Sequence, residues 1–324
     1  MKISTLLYLL GAVWEYVFLL PWFIFLMVRY HVVNWVAPYF MKNVEYSDRS
    51  DRNVCDVYPM TDFDDEEKHR VFLFVHGGAW NSGNKTIYSH LGDNVRNYLN
   101  NCTVIVCNYR LYPKVLIQDQ LEDVNDCIGW IHNHLNNYLM KHSSSDKLKH
   151  FLKEKRDIDL TVCGHSAGGH LLFTLLLEKP SKLVRNVISL GGVYDLEKQY
   201  EREQERGVEN LSGLYGVMKG DLVTYSPYHM VLCDNKMITN VLEGTTNFHI
   251  YHGSEDMTVK REFVEPFIKV FTERSDAGSG IQTPRLHSDM LQTFNHSDFV
   301  KPLMDINHPS KKQKLLSLFK SIVQ

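Results

Sequence analysis

The sequence has little that would mark a scaffold held by covalent or metal cross-links. Only 6 of its 324 residues are cysteine. They show neither a repeated spacing nor a CxxC pair, which excludes a disulfide framework and a zinc-ribbon type of site. Cys102, Cys107 and Cys163 stand inside apolar runs, where a thiol behaves as a small buried hydrophobe. A basic surplus is missing too: 35 Lys and Arg against 38 Asp and Glu give a net charge of −3. A phosphate-binding chain draws the opposite balance, so no nucleic-acid partner is expected. Repeats and low-complexity tracts are absent. What remains is an ordinary globular composition, 44% hydrophobic and 23% charged, with its apolar residues unevenly spread.

One apolar run is long. Residues 6–28 read LLYLLGAVWEYVFLLPWFIFLMV and carry a single charge, Glu15. As a helix the run would be about 34 Å long, enough for a bilayer core of roughly 30 Å. Pro21 would kink it, which bilayer helices tolerate. Trp14, Trp22, Tyr30 and Trp35 lie near or beyond its ends, where aromatic rings favour the interface. Glu15 opposes the reading, since a mid-bilayer carboxylate costs about 2.5–3.5 kcal/mol. No small-x-small cleavage site follows, so the run reads as an uncleaved anchor rather than a signal peptide. The expected organisation is a membrane anchor over 1–42 and a catalytic domain over 43–324. The expected location is a single pass through an endoplasmic-reticulum or Golgi membrane, with the lipid bilayer as partner. Arg29, Lys42, Arg49 and Arg52 after the run, against Lys2 before it, lean toward a cytoplasmic domain. The N-x-S/T sites at Asn84, Asn101, Asn210 and Asn295 leave the side open.

Beyond residue 43, short apolar runs alternate with helical patterns. Strands are expected at 71–76, 103–108, 160–164, 187–190 and 248–253, with further strands within 40–58 and 284–291. Helices are expected at 117–139, 167–178 and 260–273. This alternation predicts an α/β architecture, a mostly parallel sheet with helices on both faces. Residues 196–246 break the rhythm and are expected to form a lid over the C-terminal edge of the sheet. The charged stretch 141–157 reads as a solvated helix or loop.

Gly164-His165-Ser166-Ala167-Gly168 fits G-x-S-x-G between an expected strand and an expected helix, the setting of a nucleophile elbow. The flanking glycines permit the tight turn that exposes Ser166 Oγ, and helix N-terminal amides favour negative charge there. Upstream, His76-Gly77-Gly78-Ala79-Trp80 ends another expected strand. The amides of Gly77, Gly78 and Ala79, with that of Ala167, would make an oxyanion hole. A serine nucleophile needs a base and an orienting carboxylate, in the chain order Ser, acid, His. Asp256 lies just past 248–253, and His296 follows the last expected strand. Glu255 and Asp298 rival Asp256, while His252 and His287 rival His296 from within expected strands. His165 is expected to point away from the nucleophile, and His170 stands on the next helix. Such chemistry needs no metal and no organic cofactor.

HGGAW, NYRLYP, GHSAGGH, GSEDMTV and NHSDF together resemble the α/β-hydrolase fold and, within it, the hormone-sensitive-lipase-like esterases. Ala79 stands where many of these have a third glycine, and Asn108 where an Asp is common. With the anchor, YSDRSDRNVCDVYP and GGVYDL, the chain is most similar to isoprenylcysteine α-carboxyl methylesterases. That resemblance implies hydrolysis of a prenylcysteine methyl ester, an apolar substrate in or near a membrane. Kynurenine formamidases share HGGAW and the triad without needing the anchor, and membrane-anchored hydrolases of sterol or lipid acetyl esters fit it equally well. The contrasting class is an inactive, membrane-tethered binding protein, which an active-site phosphonate would leave unlabelled.

Overall fold

The computed structural model describes residues 20–22, 24–33, 40–63, 68–154, 157–233, 246–277, 286–306 and 308–324. Among them eight strands form one sheet: β1 (Met41–Glu45), β2 (Val54–Tyr58), β3 (Lys68–Val75), β4 (Cys102–Cys107), β5 (Asp157–His165), β6 (Val184–Leu190), β7 (Asn247–Gly253) and β8 (Leu286–Leu291). Their order is β1-β2-β4-β3-β5-β6-β7-β8. β1 and β2 pair antiparallel at one edge, and every pairing from β4 to β8 is parallel.

The helices are α1 (Ser89–Leu99), α2 (Ile117–His142), α3 (Asp146–Lys153), α4 (Ala167–Glu178), α5 (Leu196–Arg206), α6 (Leu214–Val217), α7 (Pro227–Cys233), α8 (Arg261–Ala277) and α9 (Pro309–Val323). Strand period two decides which layer each residue meets. In β3, Val71, Leu73 and Val75 join the cluster formed with α2, α4 and α8. Phe72 and Phe74 turn to the other side, against Leu91 and Val95 of α1 and Phe319 of α9. Both faces are therefore apolar, as covered parallel strands require.

One expectation changes, and two are covered only in part. The stretch 141–157 is not merely solvated: α3 is capped by Ser145 and buries Leu148, Phe151 and Leu152. The stretch 196–246, expected as a lid, contains α5, α6 and α7, and its residues 234–245 lie outside the described residues. The anchor is the other expectation covered only in part. Residues 6–19 of the expected span lie outside the described residues, and no helix among those described is long and apolar enough to cross a membrane.

Residues 20–22 and 24–28 are helical and run into a wider π-helical turn, Arg29–Val33. One side of this segment docks on the domain: Leu26 and Tyr30 are buried, and the Trp22 ring meets His90 edge-on. Arg29 reaches Asp93 at 2.8 Å and also contacts His90. The opposite side is apolar and open, with Leu20, Ile24, Phe25, Met27, Val28 and Val32 between 44% and 55% exposed. That pattern inverts the usual surface helix, which turns its polar face outward.

Candidate active site

Ser166 stands between β5 and α4 at φ 53°, ψ −119°. A non-glycine residue held there is strained, and strain of this kind collects at functional sites. The strand-to-helix reversal leaves Ser166 partly exposed within an otherwise buried run. The turn closes only because Gly168 has no side chain: a Cβ there would collide with the carbonyl oxygen of Val75.

The loop expected to form the oxyanion hole is fixed from several sides. Ala79 and Trp80 both adopt positive φ, at 49° and 61°. Gly213 N donates to Ala79 O at 3.1 Å, Gln120 Nε2 to Trp80 O at 2.8 Å, and Arg52 Nη2 to Gly83 O at 3.0 Å. Asn108 Oδ1 accepts from Lys85 N at 2.6 Å, at the foot of the same loop. Among the described residues the amides of Gly77, Gly78, Ala79 and Ala167 donate to no other group. A Cβ on Gly77 would lie within 3 Å of Ser166 Cβ, so this loop borders the serine directly.

His296 opens a 3₁₀ turn, His296–Phe299, after Asn295. The Asn295 side chain accepts from Ser297 N and Asp298 N, and Asp298 Oδ2 accepts from Asn295 N at 2.7 Å. This reciprocal cap explains the N-H-S-D spelling: its ends hold the turn that presents His296. Asp298 is further engaged by Lys311 Nζ at 2.7 Å. Asp298 is thus a structural carboxylate, and Glu255 faces solvent.

Asp256 is buried, and its Oδ2 accepts from His296 Nδ1 at 2.7 Å. Its Oδ1 accepts from Thr258 N and Val259 N, each at 2.9 Å. Burial alone would raise this carboxyl, but His296, His252 and the loop amides hold it below the usual carboxylate range. Gly191, at φ 57°, leaves the room for this pair, since a Cβ would meet both His296 Nδ1 and Asp256 Oδ2 within 3.5 Å. No hydrogen bond joins Ser166 Oγ to His296 among the described residues. Such bonds are commonly long before substrate binds.

The remaining histidines take supporting positions. His252 is fully buried, with Nε2 donating to Val259 O at 2.8 Å. It backs the acid loop instead of reaching the serine. His287 lies on β8, its ring stacked 5.2 Å from that of His249. His165, expected to point away from the nucleophile, engages the base loop instead. Its Nε2 donates to His296 O at 2.9 Å, and the two rings lie 4.9 Å apart. Burial, with His296 adding to it, pushes His165 down to about 3 and keeps it neutral.

Sequence reasoning also passed over His170. Trp80 Nε1 donates to His170 Nδ1 at 3.2 Å, and His170 Nε2 donates to Tyr225 O at 2.8 Å. This neutral ring links the oxyanion loop, α4 and the lid. Its place four residues after Ser166, on the same helix face, was the available signal.

Residues 55–268 match the family model named BD-FAE. A probable isoprenylcysteine alpha-carbonyl methylesterase of Arabidopsis thaliana is 25% identical over 258 residues, which cover 75% of this chain and 49% of that protein. A kynurenine formamidase of Drosophila melanogaster is 30% identical over 159 residues, 44% of this chain and 46% of its own. The chain thus spans about half the length of these curated relatives. Among solved structures, esterase B of Lactobacillus rhamnosis superposes with a TM-score of 0.61 at 16% identity, covering 87% of this chain and 85% of that one. That superposition carries the fold, an α/β-hydrolase, and the motif match extends over most of the chain. The chain belongs to the BD-FAE family.

Proposed function

We propose that the chain is a serine esterase that hydrolyses a carboxylic ester of an apolar substrate through Ser166, His296 and Asp256. The observation that carries this reading is the Asp256–His296 contact at 2.7 Å, set beside a strained serine and a loop of unengaged amides. In this reading His296 removes the Ser166 proton as Oγ attacks the ester carbonyl, and Asp256 steadies the imidazolium. The amides of Gly77, Gly78, Ala79 and Ala167 hold the oxyanion, each such donor being worth roughly 2.7–4 kcal/mol. His296 then protonates the leaving alcohol, and with His296 as base again, water releases the acid from Ser166.

A prenylcysteine methyl ester is the favoured substrate, supported by the likeness to the Arabidopsis methylesterase. An amidohydrolase activity on N-formylkynurenine is the second reading, supported by the likeness to the Drosophila formamidase. A fluorophosphonate probe is expected to label the protein on Ser166, mapped by peptide mass spectrometry. Absence of labelling would return the chain to the inactive-binding class. Turnover of prenylcysteine methyl ester, sterol acetate and N-formylkynurenine side by side ranks the substrates, and equal rates on all three would defeat the specific reading.

Attachment to a membrane of the endoplasmic reticulum or Golgi is the second part of the proposal. It is supported by the apolar run 6–28 and by the outward apolar side of residues 20–32. A surface helix with that side open to water is unfavourable, whereas lipid removes the cost. The full chain is expected to stay with the membrane pellet through an alkaline carbonate wash. Release into the supernatant would exclude a spanning anchor.

A further inference from the structure

Exposed apolar side chains gather in two parts of the molecule. Of the twelve large ones most open to solvent among the described residues, six lie in 20–32, four in 196–233, one is Met257, and Met140 alone stands elsewhere. Single apolar residues scattered over a surface need no explanation, whereas a grouped set marks an interface. Leu211 is 64% exposed, Met257 65% and Tyr215 49%. Their backbones are held, so the exposure is built in. Leu211 O accepts from Asn81 Nδ2 at 3.1 Å. The Tyr215 ring stacks on that of Tyr200 of α5, 4.9 Å away. Asp256 and Thr258, on either side of Met257, are held by His296 Nδ1 at 2.7 Å and by Gln199 Nε2 at 3.3 Å.

Both groups border the loop that runs past Ser166. Leu211 and α6 are fastened to it through Asn81 and through Gly213 N, which donates to Ala79 O at 3.1 Å. The N-terminal segment is fastened to its far end by Lys85 Nζ, which donates to Tyr30 OH at 2.8 Å. Asn81 and Lys85 are four residues apart, so their Cα atoms lie within about 14 Å even in full extension. Gly77 of the same loop abuts Ser166, and Met257 directly follows Asp256. We propose that Leu211, Tyr215 and Met257 form one membrane-facing rim with the outer side of residues 20–32, so that Ser166 opens onto the bilayer and an apolar ester reaches it without crossing water. Lipid is the occupant because the rim adjoins a segment whose preceding residues, 6–19, extend the same apolar run. Tyr215 suits the headgroup level, where its ring meets acyl chains and its hydroxyl stays wet. The rim rests on the membrane-attachment reading and adds to it the orientation of the site.

Site-directed fluorescence tests the orientation. Cys233 is exposed and the other five cysteines are buried, so a Cys233→Ser background accepts single labels. Full-length chains carrying Leu211→Cys, Met257→Cys, Val28→Cys or Met140→Cys are labelled with a nitrobenzoxadiazole maleimide, and circular dichroism checks each fold. They are placed in phosphatidylcholine vesicles with or without a lipid bearing a nitroxide high on its acyl chain. An apolar face that enters to about 5–10 Å brings its label beside that nitroxide. Labels at 211 and 257 are expected to shift to the blue and to be quenched about as strongly as the label at 28, while the label at 140 stays unquenched. Quenching at 28 without quenching at 211 and 257 overturns the proposal and leaves the attachment standing. Equal quenching at all four positions, 140 included, means unoriented adsorption and overturns it too. A blue shift at 211 and 257 that ignores the nitroxide and grows with protein concentration gives the rim to a second copy of the chain instead. Failure of the membrane reading shows separately, as an unquenched label at 28.

Discussion

The Asp256→Asn variant is expected to lower kcat on p-nitrophenyl butyrate about 10⁴-fold with the fold intact, and Ser166→Ala to leave only the roughly 10³–10⁴-fold advantage over water that binding and oxyanion donors supply. The size of the first effect follows from which oxygen binds what. Oδ1 of Asp256 accepts from Thr258 N and Val259 N, two donors that demand an acceptor. In the variant, the amide carbonyl must therefore take the Oδ1 position, which turns the NH₂ group toward His296 Nδ1. His296 then presents an unprotonated Nδ1 to that group and carries its proton on Nε2, the tautomer that cannot accept from a serine. The loss should fall on kcat far more than on KM, because the group acts on proton transfer instead of on substrate binding. Glu255→Gln is expected to change little, since that side chain faces solvent. Asp298→Asn should weaken the turn through lost contacts to Asn295 and Lys311 without the same kcat loss. Near-normal kcat in Asp256→Asn, with a large fall in either rival, would displace Asp256 from the triad.

The parts of this site that were legible in the sequence share one property: local spelling dictates local geometry. G-x-S-x-G between a β-branched run and an apolar helix can hardly be anything but a tight reversal, and β5, Ser166 and α4 follow it. N-H-S-D likewise names its own cap. Strands within residues 40–58 were expected, but the antiparallel pairing of β2 to β4 depends on partners about 50 residues away. The contact that orients His165 is not legible locally, because its partner is the His296 carbonyl, 131 residues further on. The apolar run 6–28 reads as a membrane anchor, yet Trp22 and Leu26 within it, and Tyr30 just beyond, face the domain. A hydropathy window cannot distinguish lipid from a protein surface, since both are apolar neighbours.

The second large effect lies away from the serine. Lys85→Met is expected to destabilise the folded chain by about 3–5 kcal/mol, the usual result of removing one partner from a buried ion pair. That is a large share of the 5–15 kcal/mol or so that holds most domains together. Lys85 and Asp56 are 2% and 0% exposed and meet at 2.5 Å. The same ammonium donates to Tyr30 OH at 2.8 Å and to Asn43 Oδ1 at 2.7 Å, so one charge ties the docked N-terminal segment, β1, β2 and the oxyanion loop. Methionine fills the volume and satisfies none of these acceptors. Burial already pushes the Asp56 carboxyl up against the pull of Lys85, Asn43 and Tyr30, and without the ammonium it rises further. A carboxyl whose folded value exceeds its unfolded one binds a proton on folding, so its unfavourable contribution grows as pH rises between the two values. The deficit of Lys85→Met should therefore be smaller in mild acid than near neutrality. Adding Asp56→Leu removes the orphaned charge and should restore most of the stability at neutral pH. Guanidinium unfolding of the two variants at both pH values reads these differences directly. Activity should follow the same order, because Lys85 N is anchored on Asn108 at the foot of the loop that carries Gly77, Gly78 and Ala79. A single variant as stable as the parent, or a double variant no better than the single one, would mean that this ammonium does not hold the loop to the sheet edge.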